Sequence, residues 1–87
     1  MENEEQLVRL GNEAETLLGS DVFDKTINDL VNQSFQTFCN TKPDDAEGRE
    51  IAYHHYRAIV EIVHTLQQRV SVRDEITVKA NKQQEDS

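Results

Sequence analysis

Three histidines and one cysteine are the side chains of this 87-residue chain best suited to chemistry. Glu61 and His64 stand three apart, the Glu-x-x-His spacing of helical di-iron bundles. Glu50 and His54 stand four apart and share a helix face. A di-iron site needs two such motifs together with carboxylates from other helices. Both pairs here fall on one helix, roughly 15 Å apart at a rise of 1.5 Å per residue, so neither completes the other within a chain. The plainer reading is histidines beside carboxylates on a surface, with no metal and no other cofactor. Cys39 follows Phe38 on an apolar stripe, where a buried thiol is small and inert rather than nucleophilic. Ser20, Ser34 and Ser71 lack a Gly-rich elbow. Three glycines in the whole chain provide no phosphate-binding loop. The chain reads as a non-enzyme.

The element that carries the histidines organises the rest. From Glu50 to Val70, apolar residues fall at Ala52, Tyr56, Ile59, Val63, Leu66 and Val70, at gaps of three and four. That spacing is the seam of an amphipathic helix, broadened by Ile51, Val60 and Ile62. Such a helix takes most of its stability from packing its apolar face. The run Tyr53-His54-His55-Tyr56 puts rings all around it, so some of them face outward. Exposed Tyr and His suit an interface, each having a flat body and a polar tip. The candidate interface residues are Tyr53, His55, Tyr56, Val63, Leu66 and Val70.

Two further helices supply packing surface. Leu7, Leu10, Ala14 and Leu17 predict a helix over 2–18, with Gly11 weakening its middle by about 1 kcal/mol. Gly19 reads as its left-handed C-cap. Ser20 or Asp21 caps a second helix over 21–40, with Asp24 near the place of a capping-box acid. Its stripe includes Phe23, Phe35 and Phe38, which by bulk should form the centre of the core. Asn40 to Gly48 is a loop around Pro43, and Asp45 caps the third helix. That helix is expected over 45–76, fraying where Arg73 falls on the seam. The β-branched Val72, Ile76 and Val78 keep an extended alternative open for 71–78. Residues 77–87 read as a disordered polar tail. The fold class is all-α: one domain over 1–76, helices 2 and 3 as a hairpin, and a shorter N-terminal helix packed across it. The third helix outruns the second, so the overhang from Val63 to Ile76 needs the first helix or another subunit to cover it.

Composition narrows the function. The hydrophobic share is 36% and there is no Trp, so the core is thin and burial against a partner is plausible. One Cys excludes an internal disulfide and a multi-Cys zinc site. No apolar run approaches the roughly 20 residues that span a bilayer. The acidic start MENEEQLVRL does not resemble a secretory signal. Residues 1–50 hold twelve Asp/Glu against four Lys/Arg, and residues 51–87 hold five of each. An acidic half argues against direct nucleic-acid binding, which needs clustered cations. It suits a basic protein partner.

The run Leu10-Gly11-Asn12-Glu13-Ala14-Glu15-Thr16-Leu17-Leu18, then Ser20-Asp21-Val22-Phe23, resembles short helical proteins from the head and packaging modules of tailed bacteriophages. The later runs Gly48-Arg49-Glu50, Ala52 to Ala58, Leu66-Gln67-Gln68-Arg69 and Val72-Arg73-Asp74-Glu75 are similar to the same group, most of all to versions in short-tailed phages of cyanobacteria. The likeness covers residues 7–76. It implies a virion or assembly role, in the particle or the host cytoplasm, and supplies no functional residues. The expected function is a non-enzymatic structural or assembly protein working through helix–helix contacts, as a homo-oligomer or on a larger phage structural protein. The alternative is a small acidic inhibitor of a host nucleic-acid enzyme, with the acidic face of the first helix as its surface. Val63→Asp or Leu66→Asp should cost several kcal/mol by burying a charge, read as a lower melting temperature together with a changed oligomeric state.

Overall fold

The structure is a computed structural model that describes residues 2–85. Among the described residues all regular structure is helical, as α1 (Glu2–Leu18), α2 (Asp21–Cys39) and α3 (Ala46–Glu85). The three-helix, all-α expectation holds, and residues 71–78 are helical rather than extended.

Local chemistry sets the boundaries. Ser20 takes an extended conformation (φ −80°, ψ 124°), and its Oγ accepts the Phe23 amide at 3.3 Å. Ser20 is thus the N-cap of α2, and Phe23 holds the position a capping-box acid would need, not Asp24. Gly19 is not a left-handed cap, since no described glycine has a positive φ. Its amide donates to Glu15 at 3.0 Å, and the chain passes directly into the extended Ser20 cap. Asp45 caps α3, its Oδ1 accepting the Gly48 amide at 2.9 Å. Arg49 Nη1 donates to the Lys42 and Pro43 carbonyls at 2.8 and 3.3 Å and so ties down the turn before α3.

The far end of α3 departs from expectation. The helix was expected to stop at Ile76, with 77–87 disordered, yet it continues to Glu85. Polarity alone does not end a helix. The segment Lys79-Ala80-Asn81-Lys82-Gln83-Gln84 has no Gly or Pro, and Ala, Lys and Gln are strong helix formers. Lys82 in the last turn also complements the helix dipole. Residues 86 and 87 of the expected tail lie outside the described residues.

The chain divides into two compact units. One is Ser20–Val63, an antiparallel hairpin of α2 and the first half of α3. Ser34 of α2 and Ala52 of α3 sit at the middle of this contact, since both line the clefts on its two sides. Ala52 is buried, and nothing on α2 is. The expected aromatic core is therefore absent. Phe35 and Phe38 are 64% and 43% exposed, because the small residues bring the helices together and leave the rings on the flank.

The other unit is α1 with α3 from His64 onward. Here α1 covers much of the overhang, so a second subunit is not required for that purpose. Its most buried positions are Gly11 and Ala14, while Leu7 and Leu17, expected on the seam, are 39% and 41% exposed. A Cβ placed on Gly11 would lie 2.4 Å from Arg73 Cβ and 2.8 Å from the Arg69 carbonyl. Gly11 is thus a point of close approach between α1 and α3. Gly11→Ala is expected to destabilise the protein by about 1–2 kcal/mol, the crowding outweighing the roughly 1 kcal/mol gained in helix propensity. Gly19→Ala, whose Cβ meets nothing closer than 3.4 Å, should be neutral or stabilising by up to about 1 kcal/mol. Urea denaturation of the two variants measures both; a stabilised Gly11→Ala would contradict the close approach.

Candidate functional site

Aromatic side chains converge on one flank of the hairpin. Phe35 and Phe38 of α2, one helical turn apart, line a cleft of about 390 Å³ together with Tyr53 and Tyr56 of α3, Val31 and Ala52. Four of the five aromatic residues in the chain line it. Tyr53 is 51% and Tyr56 40% exposed, so all four rings are wetted. His54 stands edge-on to Tyr53, with ring centroids 6.0 Å apart and planes at 63°, a favourable aromatic geometry.

The residues proposed from sequence separate into three sets. Tyr53 and Tyr56 share the cleft. His55 lines a different cleft, with Leu30, Ala58 and Ile59, on the other side of Ala52. Leu66 is buried and Val63 and Val70 are half-buried, so they belong to the packed line of α3 rather than to an open face. Phe35 and Phe38 are site residues that the sequence reading placed in the core. A signal for them was present: from Leu30 to Thr41 there is no charged residue, in a chain that is 30% charged.

The other candidate chemistry is not assembled. Among the described residues no group of three or more His, Cys, Asp or Glu is placed to hold a metal ion. Cys39 is an exposed free thiol, not a buried one, because it is the last residue of α2 and lies beyond the small-residue contact. No described helix is long and apolar enough to cross a membrane.

A polar cluster holds α1 in register on α3. Arg73, expected to interrupt the seam, lays its stem against Gly11 and keeps only 15% of its side chain exposed. Its Nη1 donates to Asn12 Oδ1 at 3.0 Å and to Glu15 Oε2, and its Nε and Nη2 donate to Asp74 Oδ1 at 3.1 and 2.8 Å. The guanidinium is held above its ordinary pKa, first by Glu15 and then by Asp74. One long side chain thus acts as an apolar seam residue along its stem and a charged clamp at its tip.

No protein-family model matches the chain, and neither a curated protein nor a solved structure is detectably similar to it.

The Arg73 cluster makes a stability prediction. Arg73→Ala should lower the denaturation midpoint well below that of the parent. Arg73→Lys should recover only part of the loss, since an ammonium cannot reach three acceptors with a planar fork. Glu15→Gln should have the smallest effect of the three, because Glu15 is 63% exposed. Equal stability of Arg73→Lys and the parent would show that charge alone suffices.

Proposed function

We propose that this protein is a non-enzymatic structural or assembly component that works through helix–helix protein contacts, with the Phe35–Phe38–Tyr53–Tyr56 cleft as its working surface. One observation carries the reading. The chain keeps four of its five aromatic side chains in an open cleft, while among the described residues only Ala14, Ala52 and Leu66 form the buried hydrophobic core. Aromatic residues are enriched at the centres of protein interfaces, where they supply large contact area at small entropic cost. A chain that needed them only for its own stability would bury them.

The setting is a phage particle or its assembly, on the strength of the sequence resemblance over residues 7–76. The partner is a further copy of the chain or a larger structural protein. Aromatic burial distinguishes this from docking through the acidic half of the chain, because contacts between exposed charges weaken as salt rises and apolar contacts do not.

The test is mass spectrometry of purified particles and assembly intermediates. The chain is expected at a fixed copy number. Phe35→Asp should abolish its incorporation, and Val22→Asp, 76% exposed and outside the cleft, should not. Absence from both particles and intermediates would overturn the assembly reading.

A further inference from the structure

We infer that the aromatic cleft is an isologous homodimer interface, in which the Ser20–Val63 hairpin packs face to face on the hairpin of a second copy. The inference rests on the proposed working surface and adds the identity of its occupant.

Layering supplies the first argument. Two helices side by side form a single layer, and an apolar helix face reaches stability only when a second layer covers it. The hairpin has no buried residue on α2 and presents four rings on one flank. Two hairpins stacked through that flank make a four-helix arrangement, the usual way in which helical hairpins complete a core.

Area is the second argument. Aromatic side chains offer roughly 150–250 Å² each. At exposures of 40–64%, the four rings leave on the order of 400 Å² open, already the size of the largest apolar patch on an ordinary monomer. Doubled over two copies, and with the Val31 and Asn32 flanks added, the buried surface reaches about the 1,000 Å² that a specific interface must clear.

Charge is the third. A two-fold contact sets each patch against a copy of itself. A chain with a net charge of −8 can do this favourably only where carboxylates are missing, because like charges brought together repel. The α2 side of the cleft meets that condition, with twelve uncharged residues from Leu30 to Thr41. On α3 the residues four and three before Tyr53 are Arg49 and Glu50, and the residue four after it is Arg57. This stretch of α3 carries two arginines against one carboxylate and so has no excess of negative charge.

The chain contains its own reporter. Tyr53 and Tyr56 are its only tyrosines and it has no Trp, so its tyrosine emission comes from the cleft alone. The experiment is light scattering on the full chain across a concentration series, with acrylamide quenching of tyrosine emission on the same samples. The expected mass rises from one copy to two and stops there, with quenching falling in step and neither change depending on salt. Phe35→Asp should raise the dimer dissociation constant on the order of 100-fold or more, with helicity by circular dichroism unchanged, and Val22→Asp should leave it within about threefold of the parent. A monomer at every concentration, a mass settling above two copies, or a dimer whose tyrosines remain fully quenchable would each overturn the inference. The quenching result needs no variant, so it stands even if Phe35→Asp misfolds. A monomer that still enters particles through Phe35 would refute the second copy while leaving the assembly reading intact.

Discussion

Two helices approach only as closely as the side chains between them allow. At Gly11 that limit is set by the backbone itself: the missing Cβ is what lets α1 meet Arg69 and Arg73 of α3. In the hairpin, Ser34 and Ala52 hold the corresponding place between α2 and α3. Close contact through small residues favours dispersion and fixes register, but it leaves little volume at the contact line for large side chains. Leucines and aromatics must then sit on the flanks, half in water.

The character of the surface follows from this. Cores made of large residues bring about 1.5–3 kcal/mol per fully buried side chain. Among the described residues the buried hydrophobic ones are two alanines and one leucine, and stability rests on many half-buried contacts together with polar clamps such as Arg73. A small domain of this kind lies near the lower limit of what a single chain can stabilise. The uncovered rings are thus available surface in a molecule with much to gain from covering them.

Periodicity made the helices legible. The three- and four-residue gaps from Ala52 to Val70 placed α3, and Ser20 and Asp45 announced the starts of α2 and α3 through ordinary capping chemistry. The end of α3 was not legible, because Lys, Gln and Ala are compatible both with a solvated coil and with a helix, and hydropathy does not separate the two. The candidate site was half legible. Tyr53 and Tyr56 stood out as rings that could not all be inward. Phe35 and Phe38 did not, because bulk and apolarity argue for burial unless the width of the helix contact is known. That width depends on Ser34 and Ala52, residues whose weight in the sequence is slight. Arg73 shows the same difficulty reversed: a charge on a seam position reads as a break until its neighbours Gly11, Asn12 and Glu15 are brought to it from the other end of the chain.

That last pairing spans most of the molecule. Arg73 reaches Asn12 and Glu15 across 61 and 58 positions of sequence, whereas six residues, 40–45, connect α2 to α3. Closing a tenfold longer loop carries an entropic penalty larger by about 2 kcal/mol, since each doubling adds about 0.6. Contacts between neighbours along the chain form early, and distant ones wait until enough structure exists to repay the closure. The hairpin is therefore the natural nucleus, and α1 is the last element to dock on the growing molecule and the first to leave it.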